Sequence, residues 1–195
     1  LPFIEKEEKE EALEIIKKTI RAIKEETGIP YVGIIYGGFI LTKEGPKILE
    51  YNCRFGDPEA MNILPILRED LTEIFMSMIQ TTLKDISFEE KATVCRYVVP
   101  RGYPVNPLKD ARIEIGEIRD ALLFYGSVNE KDGNIYTTSS RSLALVGIGD
   151  SISEAEKKVE SGLSCIRGEV EYRHDIGKEE LIKKRIEHMK SIRKK

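Results

Sequence analysis

The 195 residues suffice for one domain or two small ones, and 41% apolar beside 33% charged residues describes a globular chain rather than a disordered or fibrous one. A net charge of −3, from 31 basic and 34 acidic residues, argues against a large nucleic-acid footprint, which needs a basic excess. Cys53, Cys95 and Cys165 are widely separated, with neither zinc-site nor disulfide-framework spacing, and no run of ~18 apolar residues offers a membrane span, so a reduced, cytoplasmic setting is expected.

The chain opens Leu1-Pro2-Phe3-Ile4, with neither a methionine nor a secretory signal, which suggests a piece of a longer protein. Glu5 to Glu26 is predicted to be an amphipathic helix, with Ala12, Leu13, Ile16, Ile20 and Ile23 at helical spacing and Gly28-Ile29-Pro30 ending it. Tyr31 to Leu41 reads as a buried strand whose glycines let something approach its backbone. Lys43 to Pro46 reads as a turn, and Lys47 to Asn52 as the second strand of a hairpin. A loop follows, with Asp57 as N-cap and Pro58 as first residue of a helix. Asp70 is predicted to cap a further helix carrying Leu71, Ile74, Phe75 and Met78 on one face.

Beyond Lys91 short strands are expected at Ala92–Val99, Arg112–Ile118, Leu122–Ser127, Asn134–Thr138 and Ser142–Ile148. A helix with Ser153 and Glu156 as a capping box buries Ala155, Val159 and Leu163, and a last helix runs from about Lys178. The simplest organisation is α+β, in two units, residues 1–84 and 91–195.

Chemistry concentrates in Glu50-Tyr51-Asn52-Cys53-Arg54-Phe55-Gly56-Asp57-Pro58-Glu59. Alternate side chains of a strand share a face, so Glu50, Asn52 and Arg54 form one row while Tyr51 and Cys53 point into the opposite, core layer. A carboxylate, an amide oxygen and a guanidinium in a row suit a magnesium–phosphate site. Asp57 and Glu59 follow, near a helix start that favours anions. Taken alone, such a Glu-x-Asn-x-Arg triplet is weak, and exposed strand polar residues explain most of its occurrences. Gly147-Ile148-Gly149 lacks the third glycine of a dinucleotide fingerprint, and His174 and His188 lack an evident partner.

The longer strings carry more. Tyr36-Gly37-Gly38-Phe39-Ile40-Leu41-Thr42, then Gly45 to Ala60 with its Asn-Cys-Arg-Phe-Gly-Asp-Pro-Glu, and Leu64-Pro65 resemble the glycinamide ribonucleotide synthetase family of the ATP-grasp superfamily. The likeness continues through Arg101-Gly102-Tyr103-Pro104, Ser140-Arg141, Ala144 to Ala155, and Tyr172 to Gly177. This resemblance implies the C-terminal part of an ATP-grasp domain followed by a small mixed α/β C-terminal domain. The activity it implies is the ligation of 5-phosphoribosylamine and glycine with ATP, giving glycinamide ribonucleotide, ADP and phosphate in purine biosynthesis, through an acyl phosphate of glycine. Carried over by position, Glu50 and Asn52 become ligands of Mg²⁺ or Mn²⁺ on the ATP phosphates. Arg54 stabilises the transferring group, and Asp57 and Glu59 hold the amine or glycine.

Members of this family are more than twice as long, so the resemblance makes the chain a partner of a missing N-terminal part and inactive by itself. No carboxylate stands in the Tyr31–Leu41 strand, where other ATP-grasp enzymes often place a metal ligand. Tyr103, Arg141 and Arg173 lie in family-like strings without an assigned role. The alternatives are another ATP-grasp carboxylate–amine ligase of purine or biotin metabolism, or a noncatalytic regulatory or interaction domain.

Overall fold

A computed structural model describes residues 1–193. Contacts divide it into two units: residues 1–60, 67–88 and from Ile182 onward form the first, and residues 61–66 and 89–181 the second. Both mix helix and strand. Among the described residues no helix is long and apolar enough to cross a membrane.

The first unit begins with α1 (Lys6–Thr27). Its N-terminus is closed by a capping box in which Glu5 caps the helix and Glu8 reaches back to the Glu5 N–H at 2.8 Å. Gly28, at φ 71°, takes the left-handed C-cap that a side chain would strain. The apolar stripe forms as expected except at Leu13, which is exposed. β1 (Tyr36–Thr42) and β2 (Gly45–Asn52) pair antiparallel, so the second strand starts two residues earlier than its sequence suggests and contains Pro46. Residues 31–35 remain outside the strand. α3 (Leu71–Ile79) is capped by Asp70, whose side chain accepts from the Thr72 and Glu73 N–H groups at 2.7 and 3.1 Å. Ile74 is buried, whereas Phe75 stays exposed.

α5 (Glu179–Arg193) is the last element, and from Ile182 on it belongs to the first unit. Arg193 grips the start of α1, donating to Glu8 at 3.0 and 2.7 Å and to the Phe3 carbonyl oxygen at 2.9 Å. That hydrogen bond from Arg193 holds the Glu8 carboxyl below its ordinary pKa, against the opposing effect of burial.

In the second unit β3 (Ala92–Pro100) and β8 (Leu143–Gly149) are the central strands of an antiparallel sheet, flanked by β10 (Val170–Tyr172) and β5 (Ala121–Tyr125). A second antiparallel sheet runs β6 (Val128–Lys131), β7 (Asn134–Thr137), β4 (Arg112–Ile115), β9 (Ile166–Gly168). The strands β6, β9 and β10 were not expected from the sequence; all are three or four residues long, too short to show a period of two. α4 (Ile152–Leu163) lays Ala155, Val159 and Leu163 against Val94 and Val98 of β3 and Leu143 and Leu145 of β8, and Ile113 and Ile166 join the same core.

The cap of α4 sits two residues before its expected place. Ser151 accepts from the Glu154 N–H at 3.1 Å, and Glu154 accepts from the Asp150 N–H at 2.9 Å. Glu156 is thereby released from a capping role and turns into the core, where it meets Arg96. The Gly147-Ile148-Gly149 string also finds a structural explanation: a Cβ on Gly147 would stand 2.0 Å from the Ala155 carbonyl oxygen, so the glycine lets α4 close onto the sheet.

Candidate metal and substrate site

The β1–β2 hairpin presents two unlike faces. Tyr51 turns to α1, where its hydroxyl lies 2.6 Å from the Thr19 Oγ1, and a Cβ on Gly37, which pairs with Tyr51, would meet Ile16 of the same helix. Glu50 and Asn52 must therefore face away from α1, because neighbouring strand residues alternate. Their side chains touch on that face: the Asn52 Nδ2 donates to the Glu50 Oε1 at 3.1 Å. A register shift between Gly38 and Phe39 leaves Leu49 as the extra residue before Glu50, a bulge of the kind that re-aims a neighbouring side chain.

The same face collects two further groups. Tyr36 pairs with Asn52 and Gly38 with Glu50, so Tyr36 and Gly38 lie alongside the row. The Tyr36 hydroxyl donates to the Glu59 Oε1 at 3.1 Å, and Gly56 is buried against the ring. Burial raises the Tyr36 pKa first, and the neighbouring carboxylates Glu59 and Glu50 raise it further, since each disfavours a phenolate. Tyr36 has no assigned role in the sequence reading. No local signal marks it, because its place beside the row depends on its pairing with Asn52.

The loop beyond β2 departs from the expected picture in three respects. Arg54 lies past the strand's end, exposed, with its Nη1 donating to the Phe55 carbonyl oxygen at 2.7 Å. Cys53 is exposed rather than part of the core. The helix after it, α2 (Glu59–Ile63), begins at Glu59 and has five residues, so Asp57 and Pro58 belong to a turn closed by Ala60 N–H donating to the Gly56 carbonyl oxygen at 2.9 Å. A helix of barely one turn cannot supply the aligned dipole of an anion-binding N-terminus. Asp57 is exposed in that turn.

Arg141, Arg173 and His174 of the second unit, left without a role, find local partners. Arg141 stacks over the Tyr97 ring, 4.8 Å from its centroid. Arg173 is engaged with Asp175, its Nε at 2.8 Å from Oδ1. Tyr103 is half-buried. His174, read as isolated, is not: its Nδ1 lies 3.0 Å from the Glu160 Oε1, and its ring is 4.7 Å from that of Tyr172. His188 is exposed on α5.

The row's chemistry can be tested against a divalent cation. Glu50 and Asn52 offer one carboxylate and one amide oxygen on a single face. Among the described residues, no group of three or more His, Cys, Asp and Glu side chains gathers into a cage. That donor set suits Mg²⁺ or Mn²⁺ arriving with a phosphate chain, because such an ion keeps one or two protein oxygens and draws the rest from phosphates and water.

Known families match both parts of the chain. Residues 1–60 match the model for the phosphoribosylglycinamide synthetase ATP-grasp (A) domain, and residues 93–179 the one for the phosphoribosylglycinamide synthetase C domain. A phosphoribosylamine–glycine ligase of Methanocella arvoryzae is 51% identical over 99% of this chain and 45% of its own length. One from Methanocaldococcus jannaschii is 53% identical over 100% of this chain and 45% of the relative. The crystal structure of the phosphoribosylamine–glycine ligase of Thermotoga maritima superposes with a TM-score of 0.77 at 29% identity, covering 88% of this chain and 44% of that one. The chain thus spans a little under half the length of the curated relatives it matches.

Proposed function

Because this chain belongs to the phosphoribosylglycinamide synthetase family, we propose that it supplies the metal and substrate wall of a full-length ATP-dependent phosphoribosylamine–glycine ligase. The observation that carries the reading is the shared face of the hairpin, where Glu50, Asn52, Tyr36 and Glu59 converge opposite α1. In the proposed reaction the glycine carboxylate takes the terminal phosphoryl group of ATP, releasing ADP. The amine nitrogen of phosphoribosylamine then attacks the acyl carbon, expelling phosphate and losing a proton as the amide forms.

Within that scheme Glu50 and Asn52 would hold Mg²⁺ or Mn²⁺, which would supply neutralisation of charge on the phosphates. Arg54 offers a planar guanidinium to the transferring group, a contact for which the side chain must leave the Phe55 carbonyl oxygen. Asp57 and Glu59 are the carboxylates for the ammonium or amine of the small substrates. Catalysis of this type rests on positioning and fixed charge, and no side chain need form a covalent bond with substrate.

The direct test is product analysis with the full-length protein. ADP formation is expected to require glycine and phosphoribosylamine together, with glycinamide ribonucleotide as product, while the 195 residues alone give no turnover. ADP formation with another amine and none with phosphoribosylamine would transfer the site to a different ligase. Within the same assay Arg54→Lys is expected to lower kcat by more than it raises the KM for ATP, since lysine keeps the charge and loses the two-pronged fork. A variant altered only in its KM for ATP would make Arg54 a ground-state binder.

A further inference from the structure

We propose that Tyr36 is a positioning residue, fixing the Glu59 carboxylate on the Glu50–Asn52 face so that it meets the amine-bearing substrate in one orientation. This rests on the ligase reading above, which places Tyr36 on the shared face without giving it a task in the reaction.

The Tyr36 ring is confined between two glycines. A Cβ on Gly56 would stand 2.9 Å from two carbons of the Tyr36 ring and 2.4 Å from the Glu59 Oε2. On the neighbouring strand position, a Cβ on Gly38 would stand 3.8 Å from Tyr36 Cε1 and 3.2 Å from Glu50 Cγ. Backbone at two glycines therefore borders the ring, one from the strand and one from the loop; Gly56 also borders the Glu59 carboxylate and Gly38 the Glu50 side-chain methylene. Between them the hydroxyl is delivered to Glu59 Oε1 at 3.1 Å.

What the hydroxyl adds is orientation. Glu59 is the first residue of a five-residue helix, and its side chain has several rotatable bonds. A hydrogen bond from a ring that cannot itself move far removes most of that freedom before substrate arrives, so less ordering is lost on binding. Phenylalanine would fill the same space between the glycines. Packing accounts for the ring, and the hydroxyl is left to be explained by its partner.

The experiment is a double-mutant cycle in the full-length ligase with Tyr36→Phe, Glu59→Ala and the pair. Tyr36→Phe is expected to raise the KM for glycine or for phosphoribosylamine about tenfold, the scale of one hydrogen bond to a charged group. The KM for ATP and the thermal midpoint should stay at wild-type values. In the Glu59→Ala background Tyr36→Phe should have no further effect, because its partner has gone. Wild-type KM values for both small substrates in Tyr36→Phe overturn the proposal, as does a penalty that persists undiminished beside Glu59→Ala. A wild-type protein without turnover overturns the ligase reading and this role with it, whereas a normal wild type with an indifferent Tyr36→Phe overturns the role of Tyr36 alone.

Discussion

Glu50→Gln in the full-length ligase is expected to lower turnover at saturating magnesium by about a hundredfold or more, the scale seen when one fixed electrostatic contact to a transition state is lost. Glutamine has the same shape and can still accept the hydrogen bond that Asn52 donates at 3.1 Å. Only the negative charge is removed, and it is removed from the face on which the phosphates are proposed to be held. Glu50 is exposed, so the fold should be indifferent: surface changes of this kind stay within about 0.5 kcal/mol. A coupled assay of ADP release beside a thermal melt separates the two effects. Turnover near wild type would take Glu50 out of the metal row.

The largest effect on stability is expected at Arg96→Ala. The Arg96 side chain is fully buried in β3, beneath α4. It donates through Nη2 to Glu156 at 2.6 Å and through Nε to the Ile176 carbonyl oxygen at 2.9 Å, and it also pairs with Glu160. Removing one member of a buried ion pair leaves an uncompensated charge, at a cost of about 3–5 kcal/mol. Lys178, 2.7 Å from Glu156, relieves part of that cost and places the expectation toward the lower end. Replacing Arg96 and Glu156 together by apolar residues of similar volume should be milder than Arg96→Ala alone, since no buried carboxylate is stranded. Urea unfolding of the second unit checks both; a loss below about 1 kcal/mol in Arg96→Ala would mean the pair behaves like a surface bridge.

The same cluster sets a pH dependence. Burial pushes the Glu160 carboxyl upward, but hydrogen bonds from Arg96 and His174 outweigh it and leave the folded-state pKa below the ordinary value. Its stabilising contribution is therefore present above the unfolded carboxylate pKa and is lost as pH falls through the lower, folded value.

The site motif was legible because a strand's period of two is strict: Glu50 and Asn52 had to share a face, and Tyr51 had to take the other. The turn at Lys43, the helix caps at Gly28 and Asp70 and the stripe of α4 were legible for similarly local reasons. What escaped depended on pairings distant in sequence. Arg96 stands between Val94 and Val98 in an apolar strand, and Glu156 and Glu160 lie four apart on the buried side of α4. That complementarity was visible only to a reading that asked what a core-facing arginine must pair with. The destination of α5 was hidden because its apolar stripe says that it packs, and nothing local says that Arg193 reaches the first turn of α1. Tyr36 was hidden because a tyrosine in the middle of the expected Tyr31–Leu41 strand reads as packing until the backbone of Gly56 is seen against its ring.

The Glu50–Asn52 row is proposed to hold the divalent metal that arrives with ATP. Titrating Mn²⁺ into the full-length protein with ATP present, and following the paramagnetic resonance signal of free Mn²⁺ for wild type, Glu50→Gln and Arg54→Lys, tests this. Glu50→Gln is expected to weaken Mn²⁺ binding by about tenfold or more, the scale of perturbing a ligand's surroundings or worse, while Arg54→Lys leaves it near wild type. Equal Mn²⁺ affinity in wild type and Glu50→Gln would contradict the assignment of the row as the metal site.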